Sequence, residues 1–366
     1  MSLDEFSSDR RQFTRQLVTA GIGLSGALGS RISHAQGASG EVVMATFGGS
    51  IEQFVRAEII PAFEKATGIR VKLVIGTALT NFAKVRASRN KPDIDVYWSN
   101  ELTHAAGKQQ GLYEKLDPQI VTNLPDIIDI ARDPDGIGSG IYIIATGLHY
   151  NSQAFREAGI PKPGSWEDLW NPRLKGKVAL YSFDVAYSQD LLVLLTKLAG
   201  GTEKDVRPGL ERIKSLKSSG NLVSFASSPA ELDNMLVQGQ AWITVNGSPR
   251  AFILKEKGAP IDFAFPKEGA GFFTNYFEVI KGAPNPRGAQ MLVNFLSSPE
   301  MQLIIAKGVV AAPVNRKVTV PEALRAMIPY GDEQIAKLIR IDRNEMNRQL
   351  DSWAEMWRRE VEARRS

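Results

Sequence analysis

The chain has 366 residues, of which 23% are charged and 43% hydrophobic, and its formal net charge is +4. This length is enough for two domains of ordinary size, and the composition is that of a soluble globular protein. The absence of cysteine excludes disulfides, thiolate metal sites and cysteine nucleophiles. The small net charge, with no basic cluster interleaved with aromatic residues, argues against nucleic-acid binding.

The first 35 residues have the anatomy of a secretory signal peptide. Arg10-Arg11 lies in a charged segment, Leu17–Leu28 is apolar but too short to span a bilayer, and Ser33-His34-Ala35 is a small-x-small cleavage pattern. The arginine pair indicates the twin-arginine route. Residues 1–35 are therefore predicted to be a signal peptide cleaved near Ala35, which implies a periplasmic location. A disordered basic tail is the alternative.

The segment that follows alternates between strands and helices. Helices are predicted after Gly48-Gly49-Ser50 and after Thr77, with Pro61 kinking or restarting the first of them. Each predicted strand ends at a small or polar turn, and in an open α/β sheet that edge is where ligands bind. The predicted strands are Val42–Phe47, Ile69–Ile75 and Ile94–Trp98.

A second alternating unit begins after Gly147, with predicted strands Val178–Tyr181 and Ala241–Val245. Ser228-Pro229-Ala230-Glu231 has the pattern of a capped helix start. One alternating unit inserted within another predicts two lobes between which the chain crosses more than once. The crossings are predicted near residues 145–147, 246–248 and 274–276.

The C-terminal region is predicted to be helical. From Asp332 onward, apolar residues recur at spacings of three and four, including Trp353 and Trp357. The tryptophan pair is interpreted as core rather than as an aromatic ligand box.

Signatures of catalysis are missing from the sequence. There is no catalytic triad signature, HExxH motif or Walker loop, and His104 and His149 stand apart from other candidate groups. Asp93 and Asp95 alternate along a strand and are interpreted as a solvated edge. The sequence therefore predicts neither an enzyme, a metal site nor a cofactor.

Phe63–Val71 reads FEKATGIRV and resembles the FEKxTGIxV signature of bacterial extracellular solute-binding proteins, which supply ABC importers. The full ordered set most resembles the spermidine/putrescine-binding branch and covers residues 41–315. Further similar motifs follow in the same order at residues 165–170, 175–180, 246–248, 265–269, 280–283 and 294–300.

The resemblance implies an α/β fold of the two-lobed periplasmic-binding-protein type (type II), each lobe a mixed sheet flanked by helices, with the ligand cleft between them. It implies a monomer that closes around a small-molecule ligand and delivers it to the transmembrane subunits of an ABC permease. The N-terminal lobe is predicted to comprise residues 41–145 and 248–274, and the C-terminal lobe residues 147–246 and 276–366.

The resemblance also places ligand contacts at the strand ends, and in this chain they depart from the polyamine pattern. The family's WGGY and FWxD become Phe47–Ser50 and Phe272–Asn275, so carboxylates and aromatic faces that hold amines are lost. The predicted ligand-binding residues are Phe47, Gly49, Ser50, Thr77, Ser99, Asn100, Tyr181, Asn246, Ser248, Arg250, Phe273 and Asn275.

Ser248-Pro249 is predicted to begin a helix with Ser248 as N-cap, which places Arg250 in the first turn. A helix N-terminus beside a guanidinium suits a carboxylate or phosphate. The alternative is that Arg250 points outward or pairs with Glu256 or another acid. A neutral, zwitterionic or anionic solute is therefore predicted, with Glu101 or Asp184 available to an amine. Polyamine binding, a periplasmic sensor and an exported two-domain enzyme remain the competing interpretations.

Overall fold

A computed structural model describes residues 40–362, so the predicted signal peptide, residues 1–35, lies outside the described residues. The strands of this part are β1 (Glu41–Phe47), β2 (Arg70–Gly76), β3 (Val96–Asn100), β4 (Ser139–Asn151), β5 (Val178–Tyr181), β6 (Leu222–Ala226), β7 (Ile243–Gly247), β8 (Ile261–Ala264), β9 (Gly271–Val279) and β10 (Ala312–Pro313).

The α-helices of the same part are α1 (Ser50–Phe54), α2 (Ile60–Thr67), α3 (Ala78–Ala87), α4 (Glu101–Gln109), α5 (Ser152–Glu157), α6 (Ala186–Leu198), α7 (Arg207–Ser218), α8 (Pro229–Val237), α9 (Ser248–Glu256), α10 (Pro286–Leu296), α11 (Pro299–Val309), α12 (Glu322–Arg325), α13 (Asp332–Ala336) and α14 (Arg343–Trp357). None of the helices between residues 40 and 362 has the length and apolar character needed to cross a bilayer.

Two long strands join the lobes. The strands pair in the order β2-β1-β3-β9-β4-β7-β5-β6. Residues 139–146 of β4 pair with β9, whereas residues 146–150 pair with β7 and Leu148–Asn151 pairs with β8. β4 therefore leaves one lobe and enters the other, and β9 runs antiparallel beside it. Both strands run through the places where crossings are predicted, near residues 145–147 and 274–276.

The first lobe is built on the parallel strands β1, β2 and β3. Its core contains Trp98, which makes edge-on ring contacts with Tyr142 and Phe277 at centroid distances of 6.1 and 5.0 Å. Apolar residues of α10 and α11, such as Leu292 and Ile305, belong to the same core. Residues 286–309, far along the chain from β1, β2 and β3, therefore complete this lobe.

The second lobe is built on the parallel strands β5, β6 and β7. The consecutive leucines and valine of Leu191–Leu195 in α6 are fully buried in its core, beside Trp166 and Ile213. Trp353 and Trp357 of α14 are buried in the same core, at 2% and 0% exposure. The interpretation of this tryptophan pair as core is confirmed.

The packing differs from the predicted lobe boundaries in two segments. Residues 248–264 were predicted in the first lobe, yet β8 pairs with Leu148–Asn151 and Ile261 packs with Tyr181. Residues 276–309 were predicted in the second lobe, yet α10 and α11 pack in the first. This pairing does not support the predicted crossing at residues 246–248, because β7 and β8, on either side of it, both pair with residues 146–151 of β4. After α10 and α11, the chain runs through residues 331–342 to α14, which packs in the second lobe.

Local signals are mostly confirmed. Ser228 caps α8 by accepting a hydrogen bond from the amide of Glu231 at 3.3 Å. Gly68 ends α2 with a left-handed φ of 74° that glycine adopts without strain. A π-helical turn, Val55–Ile59, precedes Pro61 and interrupts the first helix as the proline predicts.

The interpretation of Asp95 as a solvated residue is wrong. Its side chain is 1% exposed and accepts hydrogen bonds from the backbone amides of Val43 and Asn285 at 2.8 and 2.6 Å. A carboxylate at this position satisfies two amides in the interior of the first lobe, so its role is structural.

Candidate functional site

The carboxyl ends of β1, β2 and β3 lie at one edge of the first lobe, because these strands are parallel. Thr77 and Asn100, both predicted ligand residues, are the N-caps of α3 and α4. The hydroxyl of Thr77 accepts from the amide of Thr80 at 3.2 Å, and Oδ1 of Asn100 accepts from the amide of Thr103 at 3.0 Å. Capping accounts for these two acceptors.

The start of α1 is different, because it has no side-chain cap. Gly49 is its N-cap residue with a φ of 69°, and Ser50 is the first helical residue. The amides of this first turn are therefore left without a side-chain partner. Phe47, just before the turn, packs edge-on against Trp98 at 5.9 Å between ring centroids.

Ser99 lies in the interior of the protein. It is fully buried, and its hydroxyl donates a hydrogen bond to Oε1 of Glu278 at 2.8 Å. Its neighbour Asn100 pairs in register with Asn275 of β9, so these two predicted residues do lie side by side at the crossing. Asn275 is 4% exposed.

The predicted residues of the second lobe gather around Tyr181. The amide of Asn246 donates to the Tyr181 hydroxyl at 2.9 Å. The Tyr181 ring stacks with that of Tyr187 at 5.9 Å, and Tyr187 lies 6.4 Å from Phe273. Burial raises the pKa of Tyr181 to about 12, so its phenol stays neutral at physiological pH. Sequence reasoning missed Tyr187, which had no motif to mark it.

The N-terminus of α9 is also open. Gly247 occupies the N-cap position and cannot provide a side chain, and Ser248 is the first helical residue rather than the predicted cap. The Ser248 side chain is fully buried, and its hydroxyl has no hydrogen-bond partner among the described residues. An uncapped helix N-terminus leaves amide donors and the positive end of the helix dipole facing any ligand placed there.

Arg250 lies in the first turn of α9 and pairs with Asp233 of α8. Its Nε donates to Oδ2 of Asp233 at 2.7 Å, and an Nη donates to the same oxygen. The hydrogen bonds that Arg250 donates to Asp233 raise the pKa of its guanidinium above the usual value. A guanidinium has five N–H donors, and the Arg250 side chain is 37% exposed, so donors remain for a ligand. The sequence left open whether Arg250 pairs with a neighbouring acid. In the structure it pairs with Asp233.

His104 is not isolated, contrary to the prediction. Its Nδ1 lies 2.6 Å from Oε1 of Glu278, its Nε2 lies 3.2 Å from Oδ2 of Asp133, and its ring stacks on Tyr276 at 4.0 Å. Burial lowers the pKa of His104, but the charges and hydrogen bonds of both acids outweigh burial and raise it to about 9. Lys108 also pairs with Asp133. The network also includes Ser99, whose hydroxyl donates to the same oxygen of Glu278, and it lies within the first lobe.

His149 is fully buried. Its Nε2 lies 3.1 Å from the carbonyl oxygen of Gly247, and its ring is edge-on to Phe263. Burial lowers its pKa to about 3, so it is neutral at physiological pH. Neither histidine takes part in a group of acids and histidines that could hold a metal ion, and no such group occurs within residues 40–362.

A cavity of about 920 Å³ lies at the junction of the lobes, between α4 and the start of α14. Glu101 and Tyr276 line it from the first lobe, and Arg340 and Arg343 line it from the C-terminal segment. None of the twelve predicted ligand residues is in its lining. This cavity could not be predicted from the sequence, because its walls include segments, such as α4 and residues 340–348, that lie more than 200 residues apart in the chain.

Comparison with known proteins places the chain in a family. The model of the family described as bacterial extracellular solute-binding protein matches residues 58–326. The spermidine/putrescine-binding periplasmic protein of Escherichia coli (strain K12) is 28% identical over 304 residues, which is 78% of this chain and 82% of the relative. The gamma-aminobutyric acid-binding protein of Pseudomonas aeruginosa is 22% identical over 343 residues, covering 87% and 92%.

The fold is shared with solved structures. The crystal structure of a putative extracellular solute-binding protein from Bordetella parapertussis superimposes with a TM-score of 0.79 at 21% identity, covering 88% of this chain and 98% of that one. This chain belongs to the family of bacterial extracellular solute-binding proteins. It is a solute-binding protein of the ABC transporter type, whose partners are a small-molecule ligand and a permease.

Proposed function

We propose that this protein captures a small solute that carries a carboxylate or phosphate, either anionic or zwitterionic, rather than a simple polyamine. The observation that carries the proposal is the uncapped N-terminus of α9 with Arg250 in its first turn. Amide donors, the helix dipole and a guanidinium all favour an anion at one point. The Asn246 amide and the Tyr181 hydroxyl lie at the same strand edge.

Charge at this site also argues against a polyamine. Asp233 is already paired with Arg250, so its carboxylate is not available to balance an ammonium group. The rings of Tyr181, Tyr187 and Phe273 offer apolar faces to the body of a ligand. The relative named for gamma-aminobutyric acid binds a small zwitterion by name, which makes such a ligand chemically reasonable for this family.

The capture mechanism follows from the two lobes. A ligand held at α9 in the second lobe would meet the open start of α1, at Gly49 and Ser50, when the lobes close. Contacts to both lobes exist only in the closed form, so ligand binding shifts the population toward it. The closed form would then be recognised by the permease.

We propose further that the protein works in the periplasm after removal of residues 1–35. The twin-arginine pair, the apolar segment and the small-residue exit support this location, and the family is extracellular by description.

Titration calorimetry of the mature protein tests the ligand class. Gamma-aminobutyrate, dicarboxylates and phosphate esters would be compared with spermidine and putrescine, using wild type, Arg250→Gln and the surface control Arg207→Gln. We expect an acidic or zwitterionic ligand to lose about thirtyfold in affinity in Arg250→Gln, which corresponds to roughly 2 kcal/mol. The control should bind like wild type. Tight polyamine binding that is unchanged in Arg250→Gln would contradict the proposal and favour the polyamine alternative.

A further inference from the structure

Arg343 joins residues that belong to different lobes. Its Nε donates to Oε2 of Glu101 at 2.9 Å, and its Nη1 and Nη2 donate to the two carboxylate oxygens of Asp190, the second at 3.1 Å. Glu101 begins α4 in the first lobe, whereas Asp190 lies in α6 of the second. The three side chains are 14%, 14% and 3% exposed, in the order Arg343, Glu101, Asp190.

Arg343 is carried by the second lobe. It is the first residue of α14, and Met346, Trp353 and Trp357 of the same helix are buried in the second-lobe core. The bidentate contact with Asp190 fixes the guanidinium to that lobe as well. A motion that moves the start of α4 away from α14 would therefore break the contact between Arg343 and Glu101, while the contact with Asp190 stays intact.

Glu101 is connected directly to the candidate site. It follows Asn100, which caps α4 and pairs in register with Asn275 at the crossing. Because Glu101 is the first residue of α4, its contact with Arg343 holds the N-terminus of that helix in place. Burial is the largest influence on the Glu101 carboxyl and raises its pKa, and Arg343 opposes this by stabilising the charged form.

We propose that Arg343 is a positioning residue that couples the two lobes through Glu101. Its contact adds to the stability of the arrangement in which the lobes are together, and so it sets how readily the ligand-free protein opens. Because the apparent affinity of a ligand depends on the fraction of protein in the binding-competent state, this contact tunes affinity without touching the ligand. The proposal does not depend on which ligand is bound.

Distance measurements between spin labels test the coupling in the ligand-free protein. The chain contains no cysteine, so single cysteines at Arg86 in α3 and Gln238 after α8 label one lobe each without background. Both side chains are exposed. The test variant is Glu101→Gln, which keeps the size of the side chain and removes its charge. The matched control is Arg207→Gln, an exposed arginine whose native partner Asp205 lies two residues away and which is absent from the cavity lining.

We expect Glu101→Gln to increase the population of long inter-lobe distances on the order of tenfold, since the bond between two charged groups becomes a weaker one. The control should give the distribution of the labelled parent. If Glu101→Gln fails to fold, Arg343→Lys serves instead, because it keeps the charge but loses the fork that reaches both acids. A folded variant of either kind whose distances match the parent would overturn the proposal.

Discussion

Arg250 in the first turn of α9 and Asp233 in the middle of α8 form an ion pair, with Nε of the arginine 2.7 Å from Oδ2 of the aspartate. The cation at the candidate site is therefore held in place before any ligand arrives. Asp233 is 7% exposed, and its Oδ1 has no hydrogen-bond partner among the described residues. Because Oδ1 makes no hydrogen bond, the buried carboxylate of Asp233 is stabilised through Oδ2, which accepts from Arg250.

Replacing Asp233 by Asn should lower the free energy of unfolding by about 1–2 kcal/mol, because a hydrogen bond between charged groups becomes a weaker one. Urea denaturation measures this change. Asp184→Asn is the control, since Asp184 is exposed, and it should change stability by less than about 0.5 kcal/mol. Equal effects of the two substitutions would show that the pair contributes nothing measurable.

The stability of the first lobe should depend on the charge of His104. Its pKa is raised from 6.5 to about 9, so its contribution is fully present below pH 6.5 and is lost as the pH rises through 9. The shift corresponds to roughly 3 kcal/mol. In His104→Gln, the loss of stability relative to wild type should be large at pH 6 and small at pH 9.5. If the difference in unfolding free energy between the two proteins were the same at pH 6 and at pH 9.5, the assignment would be contradicted.

Gly247 keeps Tyr187 in its place. A Cβ at this position would come within 2.2 Å of the Tyr187 hydroxyl and 3.2 Å of Ile144 Cγ2. Gly247→Ala should therefore displace the Tyr187 ring from its stack with Tyr181 and weaken ligand binding. Calorimetry with the ligand found in the screen measures the effect. Gly164→Ala is the matched control, because an added Cβ there meets no atom within 4 Å.

Export should require the arginine pair. Changing Arg10 and Arg11 together to Lys should abolish periplasmic accumulation in cells with an intact twin-arginine system, because that route reads the pair as a signal. Cell fractionation followed by mass analysis of the N-terminus would also locate cleavage near Ala35. Undiminished periplasmic protein in the double variant would show that another route exports it.

Short-range features of the fold could be predicted because their causes are local. The caps at Thr77 and Ser228 depend on residues within one helical turn, and each accepts a hydrogen bond from an amide at the predicted helix start. The apolar spacing that placed Trp353 and Trp357 in a core also follows from helix geometry alone. The resemblance to solute-binding proteins rested on ordered motifs of this kind and is confirmed.

Lobe membership was harder to predict because it depends on strand pairing. Residues 248–264 alternate between helix and strand in a pattern that suits either lobe. Only the pairing of β8 with Leu148–Asn151 assigns them to the second. The same holds for His104, whose partners Glu278 and Asp133 are 174 and 29 residues away in the chain. Sequence spacing carries no information about such contacts.

The sequence by itself determined the class of protein, the alternation of strands and helices, and the arginine at the start of α9, since these follow from residue type and local spacing. Tertiary structure decided the surroundings of those residues. It paired Arg250 with Asp233, turned Ser99 toward Glu278 and brought Arg343 between Glu101 and Asp190. The physical reason is that charge pairing and burial act through space. Two crossing strands and a returning helix bring together side chains that the sequence keeps far apart.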